Sequence, residues 1–308
     1  MKNKVLFVGD INVDIILGGL VSEPVPDKEV SCTGYAVTPG SSAFITAAAY
    51  SLLGGNSSMA GLAGQDPNGK FMLSALKEFG IGTKHVEITT KVSTGVTVNL
   101  IKDSVRTQIT YPGTIAAFSG KLLNKVALRE YTHIHFSGAY QQTKFRPKIT
   151  GLLKTARKLG LTTSMDPQWD MTEKWEHMKE WLPLFTYFFV NEAEAGSITK
   201  TASPEKAFAK LLKMTACPVL KLGKKGAMGL SDGKIVKVNP FSVKVKDTTG
   251  AGDNFAAGFL FATFERKMNM QDALRFGNSA GARSCMFTGG VGAKSTYKDI
   301  IKFMEGKR

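Results

Sequence analysis

A rhythm narrows the fold more than any single motif. From residue 133 onward, candidate strands at 133–136, 162–165, 186–190 and 218–222 alternate with helix-forming stretches at 144–159, 173–181, 191–198 and 203–214. Strands alternating with helices of roughly 10 to 15 residues predict βαβ units, hence a parallel sheet with helices on both faces. Two further strands, at 227–230 and 234–238, and two helices, at 253–266 and 270–286, close the pattern. The same rhythm opens the chain. Val5-Leu6-Phe7-Val8 predicts a buried strand that delivers Gly9-Asp10 to a loop. Pro39-Gly40-Ser41-Ser42 then opens a helix reaching Leu53, with serine as its N-cap, and a strand at 57–62 and a helix at 68–79 follow.

Two segments break this rhythm. Residues 12–34 are apolar patches interrupted by Gly18-Gly19, Pro24 and Pro26, and 94–101 and 107–111 alternate as a hairpin around Lys102-Asp103-Ser104. The expectation is one domain over 1–308, α/β in class, with a doubly wound and mostly parallel sheet. A small β-sheet lid formed by about 12–36 and 95–111 is expected over a ligand site at the carboxyl ends of the strands.

Composition bounds the function. The 308 residues are 43% hydrophobic and 21% charged, as in soluble globular proteins. A net charge of +15 from 40 basic and 25 acidic residues comes without a long Lys/Arg block, which predicts a solvated basic surface and no nucleic-acid partner. Gly9, Asp10, Asn12 and Asp14 interrupt the first apolar run too early for a signal peptide. No run is long enough to span a bilayer, so no membrane partner is expected. Three scattered cysteines, Cys32, Cys217 and Cys285, signal neither a disulfide framework nor a zinc site and predict a cytoplasmic location. His133 and His135 alternate on one strand and are expected to straddle its two faces, so they signal no metal pair.

The densest punctuation is Asp247-Thr248-Thr249-Gly250-Ala251-Gly252-Asp253, followed by the apolar helix from Phe255. A helix N-terminus collects unpaired N–H groups and the positive end of the macrodipole, and glycines let a phosphate approach the main chain. Gly250, Ala251 and Gly252 are therefore an expected anion hole. Asp253 is an expected base for a hydroxyl attacking a phosphoryl group held there. A bare Gly-x-Gly-Asp is more often a capped turn; the full string is far more specific.

This string resembles the C-terminal signature of the ribokinase-like carbohydrate kinases, also called the phosphofructokinase-B type. Gly9-Asp10-Ile11-Asn12-Val13-Asp14, Gly61-Leu62-Ala63-Gly64-Gln65-Asp66 and Ser93-Thr94-Gly95 resemble the family's earlier segments, so the resemblance spans essentially the whole chain. It implies ATP-dependent phosphorylation of a sugar or nucleoside hydroxyl, with ATP and Mg2+ as cofactors. Asp14, Gly40 and Ser41 would hold the substrate. Asn191, Gly223, Gly226 and Asn278 would hold ATP, and Glu194 would place magnesium through water, although Asn191-x-x-Glu194 is also a capping box. Asp247 and the Thr249 carbonyl match the place of a monovalent cation, such as K+.

The chain departs from the family pattern at several positions. Ser41 stands for the second glycine of a Gly-Gly element and Ile45 for a substrate-binding asparagine, which argues against ribose itself. Asp166-Pro167-Gln168-Trp169-Asp170 ends in aspartate where fructokinase-like members carry arginine; pointing inward, Asp170 would repel an acidic substrate. Lys221 stands where threonine is usual. Arg106, at the second hairpin turn, is either a lid contact or a solvated residue, the latter being commoner.

The expectation that follows is a kinase acting on a hydroxyl of a small neutral sugar or polyol. A nucleoside kinase is the runner-up within enzymes, and a sugar-binding regulator without turnover is the alternative from another class. Hairpins with apolar residues on both faces, forming a sheet with one side on the site, leave the other side needing cover and so also predict a homodimer through the lid.

Overall fold

Strand β1 (Val5–Val8) is apolar and fully buried at each of its 4 positions. Such a strand needs partners on both edges and a helical layer on each face. The computed structural model, which describes residues 3–103 and 105–306, supplies them. The later strands are β2 (Asn12–Leu20), β3 (Cys32–Pro39), β4 (Ser57–Gly64), β5 (Gly82–Thr89), β6 (Gly95–Lys102) and β7 (Val105–Tyr111). They are followed by β8 (His133–Ser137), β9 (Thr162–Asp166), β10 (Tyr187–Asn191), β11 (Pro218–Lys221), β12 (Ala227–Ser231) and β13 (Lys234–Val238).

The main sheet has 9 strands in the order β13-β12-β11-β10-β9-β8-β1-β4-β5. Pairing is parallel from β11 to β5, and the β12–β13 hairpin adds an antiparallel edge. Alternation within β1 divides the core. Val5 and Phe7 pack with the helices Ser42–Leu52, Ala251–Glu265 and Met270–Ser284, while Leu6 and Val8 pack with Ile149–Lys158 and Pro204–Leu211. Phe7 makes an edge contact with His135 at 5.7 Å between ring centroids; truncating such a ring to alanine costs about 3–5 kcal/mol.

The second sheet has 4 strands in the order β3-β2-β6-β7. Its register separates two chemistries. Val37, Ile15, Val98 and Ile109 form one cross-strand row, and Thr38, Asp14, Thr97 and Thr110 form the row beside it on the opposite face. At these rows one face is apolar and the other polar, with Ile16 and Ala36 continuing the second face. Ser104, expected in the turn between β6 and β7, lies outside the described residues.

Several elements differ from expectation. β5 is too polar at its exposed positions to be read as a strand, because it is the sheet's edge. The stretch 173–181 holds only the single-turn helix Met178–Trp181, and residues 144–159 reduce to a 3-10 turn at Arg146–Lys148 followed by Ile149–Lys158. A further helix, Tyr297–Glu305, closes the chain, begun by a capping box between Thr296 and Asp299. His133 and His135 do not straddle the sheet: residues two apart on a strand share a face, and both rings hydrogen-bond Ser164 Oγ, at 2.7 Å each. Among the described residues, no helix is long and apolar enough to cross a membrane.

Candidate active site

In a parallel sheet the carboxyl ends of the strands share one rim. Here β1 leads to Asp10, β9 ends in Asp166, β10 in Asn191 and β11 in Lys221. With Asp14, Ser42, Arg106 and the turn Thr248–Asp253, these residues line a polar cavity of about 310 Å³. A neighbouring apolar cleft of about 320 Å³ is lined by Gly223, Gly226, Phe241, Val245, Phe255 and Asn278, among others. Lys221, Thr248, Ala251 and Gly252 border both spaces.

The turn between the two spaces is built by Gly250, whose φ of 71° starts the helix Ala251–Glu265. A Cβ there would also come within 2.7 Å of Gly290 Cα. Asn254 secures the turn by donating to the carbonyls of Gly250 at 2.9 Å and Gly290 at 2.8 Å. Helical bonding begins at Asn254 N–H, leaving the first-turn donors over. The N–H of Ala251, expected in the anion hole, instead closes a turn onto the Thr248 carbonyl at 3.2 Å. Among the described residues, the N–H groups of Gly250, Gly252 and Asp253 have no protein acceptor.

Asp253 is buried and its Oδ1 accepts a hydrogen bond from Ser42 Oγ. Ser42 in turn accepts from Gln168 Nε2 at 2.9 Å. Burial, and then the nearby Asp166, push the Asp253 carboxyl up to about 7. Burial likewise raises Asp10 to about 6, and burial together with Asp10 raises Asp14 to about 7. Carboxylates shifted this way around one cavity are a mark of a functional site.

Glu194 is raised to about 7 by burial and by Asp166, against the opposing charge of Lys221. The capping box expected at Asn191 is present: Asn191 Oδ1 accepts from Glu194 N–H, and Asn191 N–H donates to Glu194 Oε2, both at 2.9 Å. Glu194 and Asp166 offer the hard oxygen donors that suit magnesium, which binds through one or two carboxylates plus phosphate and water. No closed cage of three or more such side chains exists among the described residues. The fit is therefore to an ion carried with a nucleotide.

Asp247 Oδ1 accepts from Thr249 N–H at 2.9 Å and Thr249 Oγ1 at 2.7 Å, and its Oδ2 accepts from Gly289 N–H at 2.8 Å. A carboxylate offers about four lone-pair sites, so about one is left for a cation. Arg106, although exposed, makes a contact across to the glycine turn. Its guanidinium donates to Thr249 Oγ1 at 3.0 Å, tying β7 to the glycine turn.

Elsewhere in the polar cavity, Asp14 Oδ1 accepts from Asn12 Nδ2 at 3.2 Å, and Gly40 lies so close that a Cβ would collide with the Asp14 carboxylate. Ser41 has φ 79°, which is why glycine suits this position; its hydroxyl donates to the Asp10 carbonyl and accepts from Phe44 N–H. Ile45 offers no amide. It packs beneath the turn, its Cγ2 3.0 Å from where a Gly250 Cβ would be. Asp170 does not point into the cavity: its carboxylate accepts from Thr172 N–H at 3.0 Å and Trp175 N–H at 2.8 Å, capping its own loop. Trp169 is 40% exposed and stands edge-on to Trp175. Asn278, at the cleft, donates to the Asn239 carbonyl at 3.1 Å.

The profile of the family described as pfkB family carbohydrate kinase matches residues 2–294. The chain belongs to that family. Among curated relatives of this pfkB chain, a ribokinase of Haemophilus influenzae is 25% identical, the alignment covering 99% of each protein. An ATP-dependent ribose-1-phosphate kinase of Halopiger xanaduensis is 27% identical over 95% of this chain and 94% of its own length. The crystal structure of a Thermotoga maritima ribokinase superposes with a TM-score of 0.84 at 22% identity, covering 99% of this chain and all of that one, which establishes the fold.

Sequence reasoning missed Ser42, Gln168 and Asn254. Ser42 stood beside the serine that caps the helix, Ser41, and the capping role expected of serine there said nothing of a second hydroxyl facing the cavity. Asn254 carried a signal, an amide in the first turn of an otherwise apolar helix. Gln168 carried none.

Proposed function

We propose that this chain is an ATP-dependent kinase that phosphorylates a hydroxyl of a small neutral sugar or polyol. The observation that carries the proposal is the position of Asp253: a buried carboxylate one residue beyond the unpaired Gly252 N–H, facing the cavity that Asp10 and Asp14 also line. The apolar cleft suits a flat adenine, with Gly223, Gly226 and Asn278 at its edge. Phosphates would then lie along Gly250–Asp253, at the junction of the two spaces. Asp14, with Gly40 and Ser41 beside it, orients the acceptor hydroxyls.

In the transfer step the acceptor oxygen forms a bond to the γ-phosphorus and the bond from that phosphorus to the β–γ bridging oxygen breaks. Asp253 takes the hydroxyl proton, and ADP leaves with the bridging electrons. The N–H groups of Gly250, Gly252 and Asp253 stabilise the charge on the moving phosphoryl group. Magnesium bound with ATP would neutralise phosphate charge, held through water by Glu194. Asp247 and the Thr249 carbonyl are the proposed ligands of K+. Arg106, reaching from β7 to Thr249, supports a lid role for the second sheet, whose polar face would exclude bulk water.

One observation favours a second acceptor class. With Asp170 turned away and Arg106 lining the cavity, an acidic or phosphorylated sugar meets a guanidinium, although Asp10 and Asp14 oppose an anion nearby. The outer face of the second sheet supports a homodimer, since Val37, Ile109 and Tyr111 are exposed there. Its free cysteines fit a cytoplasmic protein.

The test is an ADP-release and thermal-shift screen over pentoses, hexoses, sugar acids, sugar phosphates, inositols and nucleosides, with Asp253→Asn as control. Turnover of a neutral sugar or polyol, abolished in Asp253→Asn with ATP binding kept, is expected. A preference for nucleosides, or a variant that keeps most of its activity, would overturn the proposal.

A further inference from the structure

Lys221 ends β11 at the place where the two spaces meet, and it borders both of them. Its side chain is only 13% exposed and its ammonium pairs with Asp166, itself 2% exposed. The ammonium also lies over the glycine turn: a Cβ built on Gly252 would meet Lys221 Nζ at 3.0 Å. Gly252 N–H is one of the donors without a protein acceptor. Burial works against the charge of Lys221, but Asp166, Glu194 and Asp253 more than offset it and hold its pKa above the ordinary lysine value.

We infer that Lys221 is a catalytic residue, a fixed cation that contacts the β- and γ-phosphate oxygens of the nucleotide at the junction of the apolar cleft and the acceptor cavity. The inference rests on the kinase reading above. A lysine that served only to neutralise Asp166 has no need to border the apolar cleft or to sit against the backbone donor of Gly252. A planted ammonium there is a compact charge with three donors. It already holds Asp166 with one, which leaves others for phosphate oxygens. During transfer Lys221 stays protonated; the proton of the acceptor hydroxyl goes to Asp253 and the electron pair of the broken P–O bond stays on ADP. The ammonium stabilises the charge that grows on the bridging oxygen. The preference for nucleotides bearing β- and γ-phosphates therefore resides partly in the chain itself.

The experiment measures calorimetric affinities of ATP, ADP and AMP for the full-length wild type and Lys221→Met with a chelator present, so that no divalent ion contributes. Turnover is measured separately with magnesium, on the best acceptor of the screen. Lys221→Met is expected to weaken ATP and ADP by about tenfold or more while AMP changes less than about twofold, and to slow turnover by about 100-fold. Because a buried Asp166 without its partner destabilises the fold, Lys221→Met/Asp166→Asn is measured as well; it is expected to show the same phosphate-selective loss. Equal losses for ATP and AMP, or restored ATP affinity in the double variant, would overturn the inference. Failure of the wild type to bind ATP would instead overturn the kinase reading.

Discussion

Ser42 Oγ donates to Asp253 Oδ1 across 211 residues of sequence. The same hydroxyl accepts from Gln168 Nε2, so its single proton is directed at the carboxylate. This bond lowers the Asp253 pKa against the upward pressure of burial and holds the carboxylate in one orientation. Ser42→Ala is expected to lower kcat by about 10- to 100-fold with little change in the KM for ATP. The acid limb of its rate profile should move to higher pH. Wild-type kcat in this variant would remove Ser42 from the site.

The Asp253 carboxyl, raised to about 7, must be ionised to accept a proton. Activity is therefore expected to fall about tenfold per pH unit below that value, and a rate that stays flat down to pH 5 would count against Asp253 as base. Stability runs the other way. Between the ordinary value of 3.8 and about 7 the folded state binds a proton that the unfolded state has released, so this group costs stability as pH rises through that window. Asp253→Asn should accordingly raise the Tm by several degrees at pH 8 and leave it nearly unchanged near pH 4. The opposite pattern in a thermal melt would refute the assignment.

Asp170 caps the loop that carries Trp175. Asp170→Ala is expected to cost about 1–3 kcal/mol by leaving those backbone donors unpaired, measurable by urea unfolding, without changing the order of acceptors in the screen. A switch towards acidic sugars in this variant would mean that Asp170 does face the substrate.

Ile109, on edge strand β7, is 59% exposed at the end of the apolar row on the outer sheet face. Ile109→Lys is expected to convert a dimer to a monomer in light scattering, because a buried unpaired lysine opposes association. A wild type that is monomeric at high concentration would rule out this interface.

Where side-chain periodicity or a backbone constraint writes itself into neighbouring residues, the sequence was legible. The alternation of β1, β8, β9, β10 and β11 with helices announced a parallel sheet, and Gly250 with Gly252 before an apolar helix announced a turn open to an anion. Edge strand β5 was illegible because one side of it is solvated, and the loop at 170–175 because loops have no period. His133 and His135 were misplaced although the alternation of a strand was enough to put them on one face.

The sequence by itself determined the family, the alternation of strands and helices outside edge strand β5 and the closing helix, and the presence of Asp253 at a helix start, since each is local or repeats at short range. Only the tertiary structure decided which groups meet. Ser42 and Asp253 converge from the first turns of two separate helices and Gln168 from the loop after β9, while Lys221 and Asp166, 55 residues apart, meet from two strand ends. It also decided that Asp170 faces its own loop and that Arg106 reaches Thr249. A side chain's direction at the end of a strand is set by what packs around it, and those neighbours are distant in the chain.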